Sequence, residues 1–131
     1  MKDLNDWTLS MSSTYKSLNA ENTRQSLLDG DFTTGAATDY GTSWIKASFP
    51  YPVLVNHVTI APLHKDLNMW DPRHGNAGSV QYSNDNMNWT NIGTIEYIAN
   101  EKQKINVEGI AASYWRLYHN NYLGTSCLIF E

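Results

Sequence analysis

Between residues 44 and 60 the chain carries two extended runs held apart by two prolines, and this stretch limits the folds open to it. Trp44-Ile45-Lys46-Ala47-Ser48-Phe49 alternates, with Ile45, Ala47 and Phe49 on one face. Pro50-Tyr51-Pro52 breaks the run, because a proline nitrogen has no hydrogen to give to a ladder. Residues 53–60 are the strongest strand signal, β-branched at Val53, Val55, Val58, Thr59 and Ile60. Shorter runs surround them. Trp7, Leu9 and Met11 alternate as an edge strand would. Ser79-Val80-Gln81-Tyr82-Ser83 stops at Asn84-Asp85-Asn86, where asparagine tolerates the positive φ of a tight hairpin turn. Extended structure resumes over residues 89–98, and residues 104–107 alternate briefly. Tyr114-Trp115-Arg116-Leu117-Tyr118 and Cys127-Leu128-Ile129-Phe130 complete the set. Residues 19–28 offer one helical turn, and residues 35–43 and 62–78 read as loops. Short strands, turn-rich connections and no amphipathic helix predict an all-β antiparallel sandwich or barrel. Neither a repeat nor a linker divides residues 1–131, so one domain is expected.

Composition narrows the function. With 41% hydrophobic and 17% charged residues, 131 residues suffice for a buried core. The net charge of −4 includes no basic block, which argues against a nucleic-acid partner. No apolar run approaches a membrane span, so no insertion is expected. The opening Met1-Lys2-Asp3-Leu4-Asn5-Asp6-Trp7 lacks the apolar core of a signal peptide. The expectation is a protein made in the cytoplasm, virion- or surface-associated thereafter, or a module excised from a longer one. Cys127 is the single cysteine and forms no internal disulfide. Five tryptophans and eight tyrosines, many among Asn, Asp and Gly, are plentiful for this length.

Leu27-Leu28-Asp29-Gly30-Asp31-Phe32-Thr33-Thr34 runs an apolar pair into a tight acidic turn. Asp29, Asp31 and Thr34 supply hard oxygen donors close together, and Gly30 lets the backbone fold between them. Such a set suits a calcium ion. It equally suits an Asx-type turn whose carboxylates bond local amides.

The order of landmarks resembles the discoidin domain, also called the coagulation factor type C domain. It is similar also to that domain's sugar-binding relatives in carbohydrate-binding module family 32. Leu28-Asp29-Gly30-Asp31 with Thr34 looks like the family's LDG-(N/D)-x-x-T turn. Trp44-Ile45-Lys46-Ala47-Ser48-Phe49 is similar to its W-I-x-(V/I)-D-L strand. Tyr82-Ser83-Asn84-Asp85-Asn86-Met87-Asn88-Trp89 looks like its Y-x-S-x-D-G-x-x-W hairpin, and Tyr114-Trp115-Arg116-Leu117 sits where the family has R-Y-V-R-L. There are departures. Ala36 stands where a tryptophan is usual, Asn86 replaces the hairpin glycine, and the disulfide of extracellular members is impossible. These point to a microbial or viral module.

The resemblance implies a jelly-roll sandwich of the galactose-binding type, with a structural calcium at the acidic turn. Its ligands, carried over by position, are the side chains of Asp29, Thr34 and Glu131, with backbone carbonyls near Ser26 and Asp31. The resemblance also places a glycan site on loops at one end of the sandwich. The long loop His64-Lys65-Asp66-Leu67-Asn68-Met69-Trp70-Asp71-Pro72-Arg73-His74-Gly75-Asn76 has the chemistry for it. Trp70 offers a ring for the apolar face of a pyranose, and His64, Asp71, Arg73, His74 and Asn76 offer hydroxyl partners. Tyr40, Asn120 and Tyr122 are candidates for the rim. A competing reading makes Trp70 a core anchor and pairs Arg73 with Asp71 or Asp66. Trp44, Trp89 and Trp115, on strands, are expected in the core.

Enzyme chemistry finds little support. His64, Asp66, Asp71 and His74 lack the spacing of a zinc site, and Cys127, in an apolar strand, reads as buried and inert. The expectation is a non-catalytic, lectin-like binding module. The alternative is a structural or adaptor subunit, a homo-oligomer or part of a larger assembly such as a phage virion or tail, working through protein contacts.

Overall fold

Alternation of buried and exposed side chains fixes the frame of the sheet. The structure, a computed structural model, describes residue 4 and residues 6–14, 22–29, 35–39, 41–61, 78–95, 102–120 and 123–131. Among them the elements run β1 (Thr8–Met11), α1 (Arg24–Leu28), β2 (Ala36–Ala37), β3 (Ser43–Ala61), β4 (Ser79–Ser83) and β5 (Thr90–Thr94). They continue with β6 (Gln103–His119), β7 (Gly124–Thr125) and β8 (Cys127–Phe130). The main sheet has the order β1-β3-β6-β4-β5, with β8 also on β3, and β2 pairs with β7 alone. Every one of these pairings is antiparallel. This is the antiparallel β-sandwich expected from the strand pattern.

The sandwich arises because β3 and β6 fold over together. Ala47 pairs with Trp115 and Val58 pairs with Phe130. A straight strand would separate Ala47 from Val58 by about 35 Å. Yet the rings of Trp115 and Phe130 have centroids 5.9 Å apart. The two halves of β3 therefore face each other across the core. The β3–β6 pairing lapses between Ser48 and Val53, around Pro50 and Pro52. The prolines do not end the strand, as the sequence suggested; they turn its corner. A second register shift, between Val55 and His57, accommodates Glu108 and Gly109, at φ 60° and 76°.

An aromatic cluster fills the space enclosed. Phe130 meets Trp7 at 5.9 Å and Phe49 at 5.4 Å, both edge-on. Trp115 is fully buried, and its indole Nε1 donates to the Ala112 carbonyl at 3.0 Å. Burial of each such ring contributes on the order of 2–3 kcal/mol, and edge contacts add to it. The short helix α1 is capped by Thr23, whose Oγ1 accepts from the Ser26 amide at 3.2 Å. It sends Leu27 into the same core and packs on β8.

Two tryptophans correct the sequence reading. Trp44 and Trp89 are half-buried, outside the core cluster that takes Trp7 and Trp115. The reason is parity. Ile45, Ala47, Trp115 and Leu117 point inward, so Trp44, Lys46, Arg116 and Tyr118 emerge on the outer face. Trp89 joins them there, 4.0 Å from the Arg116 guanidinium carbon.

Candidate functional site

Because β3 doubles back, both its ends arrive at one end of the sandwich. The Ala61 carbonyl accepts from Thr125 Oγ1 at 2.7 Å and from the Ser126 amide at 2.9 Å. Thr125 pairs with Ala36. One turn further, the Thr38 amide donates to the Leu123 carbonyl at 2.8 Å, and Thr38 Oγ1 accepts from the Leu123 amide at 2.9 Å. Ser43 Oγ then ties back to the carbonyl of Gly41 at 2.8 Å and of Asp39 at 3.3 Å. Ser43 pairs with His119, and Tyr118 with Ser79. Thr38, Ser43, Thr125 and Ser126 are all buried. Buried hydroxyls are costly unless bonded, so this network fixes the backbone around it.

Gly78 completes the arrangement. It adopts φ +70°, and a Cβ there would overlap the Tyr118 carbonyl oxygen. Its own carbonyl accepts from the Ile95 amide at 2.7 Å. Ala61 and Gly78 are the two stems of residues 62–77; Asp39 and Gly41 flank residue 40; Asn120 and Leu123 flank residues 121–122. All six stems meet at this end. Through its bond to Gly78, Ile95, in the run read as extended over residues 89–98, also arrives at this end.

His64, Trp70, Asp71, Arg73, His74, Asn76, Tyr40 and Tyr122 lie outside the described residues, as do Asp31 and Thr34. Asn120 is exposed where β6 ends, and its neighbour His119 is the last residue of the strand. Asp29 is the exposed C-cap of α1. After burial, the larger cause, its charge adds to the raised pKa of Cys127, at the start of β8. Glu131 follows the other end of β8. Its carboxylate accepts from Thr59 Oγ1 at 3.4 Å and meets Lys104 Nζ at 3.7 Å. Among the described residues no three His, Cys, Asp or Glu side chains gather as metal ligands would.

The F5/8 type C domain model matches residues 8–131. The chain belongs to that family. Solved structures share its fold at low identity. A fucolectin from striped bass (Morone saxatilis) serum superimposes with a TM-score of 0.77 at 15% identity, over 97% of this chain and 47% of that one. Chitosan-binding module 1 of a chitosanase/glucanase from Paenibacillus sp. IK-5 gives 0.70 at 20%, over 100% and 99%. A Clostridium perfringens family 32 module, solved with GalNAc-β-1,3-galactose, gives 0.69 at 15%, over 96% and 94%. No curated protein matches in sequence.

Elsewhere this F5/8 type C domain holds two further polar features. Burial pushes the Cys127 thiol up to about 11, so it is a poor nucleophile at neutral pH, as expected from its apolar strand. The hairpin after β4 closes on Asp85. Its Oδ1 accepts from the amides of Asn88 at 2.8 Å and Met87 at 2.9 Å, and from Ser83 Oγ at 2.9 Å. These bonds, the Asn88 amide first, hold its carboxyl far below the usual carboxylate range. Asn86, at φ 62°, takes the turn position that the sequence reading gave to asparagine. No helix among the described residues is long and apolar enough to cross a membrane.

Proposed function

We propose that this F5/8 type C domain is a non-catalytic, lectin-like module that binds glycans through the loops gathered at the Ala61/Gly78 end. One observation carries the reading: the stems of the long loop, of residue 40 and of residues 121–122 converge on one buried hydroxyl network. Rigid stems under variable loops suit recognition, because a pre-ordered loop loses less entropy on binding. Trp70 would stack on a pyranose face, with His64, Asp71, Arg73, His74, Asn76, Asn120, Tyr40 and Tyr122 around it. The structural neighbours add support, since one is a pectin-binding module and another was solved with a disaccharide. A glycan array tests the proposal. The intact domain should retain at least one neutral glycan. Trp70→Ala and Arg73→Ala should each lose that signal while keeping the wild-type thermal melt.

Calcium belongs to the same proposal as a structural ion, held by the side chains of Asp29, Thr34 and Glu131 and by backbone carbonyls near Ser26 and Asp31. The donors are chemically apt, being carboxylate and hydroxyl oxygens. Glu131 now bonds Lys104 and Thr59 and stands four residues, about 13 Å, along β8 from Cys127, the residue Asp29 acts on, so it reaches the ion only if this end of the strand shifts. Melting with and without chelator reads this directly: added calcium should raise Tm, and Asp29→Asn should remove the response.

A further inference from the structure

On the outer face of the main sheet, Lys46 and Arg116 stand directly opposite each other in the β3–β6 register. Strands lie about 4.8 Å apart, and like charges placed so repel. Among the described residues neither cation pairs with a carboxylate. Lys46 Nζ donates to Asn86 Oδ1 at 2.9 Å, and Arg116 Nε donates to Gln81 Oε1 at 2.8 Å. Aromatic rings hold both in place. The Arg116 guanidinium carbon lies 4.0 Å from the Trp89 centroid and 4.7 Å from that of Tyr118. Lys46 Nζ lies 5.0 Å from the Trp44 centroid and 6.0 Å from that of Tyr114. Attraction to the rings keeps two repelling cations side by side on an open face. Partial burial of Lys46, and then the charge of Arg116, lower its pKa; burial lowers that of Arg116.

We propose that this face is a second binding site, for the carboxylate of an acidic sugar such as a uronic acid residue within a polysaccharide. A carboxylate set between the ammonium and the guanidinium edge bonds both and removes their repulsion. The side-chain amides of Gln81 and Asn86 border the pair and can bond sugar hydroxyls. The flanking rings offer apolar edges to C–H groups. A flat sheet face suits a run of a chain rather than its tip. The site shares no residue with the loops at the Ala61/Gly78 end, and it stands or falls apart from them.

Affinity electrophoresis tests it, with polygalacturonate in the gel and fully methyl-esterified polygalacturonate as the uncharged arm. The chain's net charge of −4 opposes general attraction to a polyanion, so retardation reports a local patch. The wild type should be retarded by the acid and not by the ester. Lys46→Gln should weaken retention about tenfold, as expected for losing one charged hydrogen bond. Lys46→Glu should abolish it. Arg116→Lys, which keeps the charge and loses the planar fork, should weaken it severalfold, with thermal melts confirming that each variant folds. Trp70→Ala should retain polygalacturonate binding even where it loses the neutral glycan. The proposal is overturned if the wild type is not retarded, if acid and ester retard it equally, or if the Lys46 variants bind like wild type. Stronger retardation by single-stranded DNA than by polygalacturonate would also overturn it.

Discussion

The two ends of the sandwich solve the same problem differently. At the hairpin end, Ser83, Asp85 and Asn88 satisfy one another within a few residues of sequence. At the loop end, Thr38 bonds Leu123 and Thr125 bonds Ala61, 85 and 64 residues apart in sequence. A turn closed by local bonds needs nothing from its surroundings and leaves its polar groups occupied. At the loop end the long-range bonds hold the stems collectively, each through a partner distant in sequence. We read the first as structure and the second as a recognition surface.

This contrast breaks most readily at Gly78. Gly78→Ala places a side chain at positive φ against the Tyr118 carbonyl. It should destabilise the domain by about 2–4 kcal/mol in chemical denaturation. Glycan retention should suffer with it, since Gly78 is a loop stem. Thr38→Val should come next. It leaves the buried Leu123 amide without its acceptor, at about 1–3 kcal/mol, and loosens residues 121–122. Hydrogen exchange should show faster opening at Leu123 and unchanged protection at Asn88.

At the hairpin end the effect should be smaller and depend on pH. The bonds to Asp85 lower its carboxyl pKa in the folded state. Its contribution is therefore present above the unfolded value of about 4 and is lost as pH falls through the folded value. Asp85→Asn should flatten the acid side of the Tm-against-pH curve and leave glycan binding at pH 7 unchanged. A loss of glycan binding in this variant would remove the distinction between the ends.

Much of the fold was legible because strand periodicity reports burial directly. Ile45, Ala47 and Phe49 are buried on one face, and Ser79–Ser83 is a strand as its residues indicated. The corner at Pro50 and Pro52 was legible as an interruption, not as a fold-back, because only the contact of Trp115 with Phe130 shows what lies opposite. Trp44 and Trp89, expected in the core because they lie on strands, are half-buried outside it, since strand membership alone does not say which face a ring takes. The rings serve Lys46 and Arg116, a pairing set by cross-strand register, which sequence order does not display. For the loop end, the sequence named side chains and the structure supplies their stems. Asn120 is the one ligand candidate among the described residues, and it stands where β6 delivers it.

The central claim is that a neutral glycan is read at the end where Ala61, Gly78 and Asn120 meet. Amide chemical-shift mapping during titration with the strongest neutral glycan from an array tests it most directly. The account predicts shifts at Gly41, Gly78, His119, Asn120 and Leu123, with Ser83, Asp85 and Asn88 silent. Shifts confined to the Ser83–Asn88 hairpin, with the loop-end stems unmoved, would contradict it.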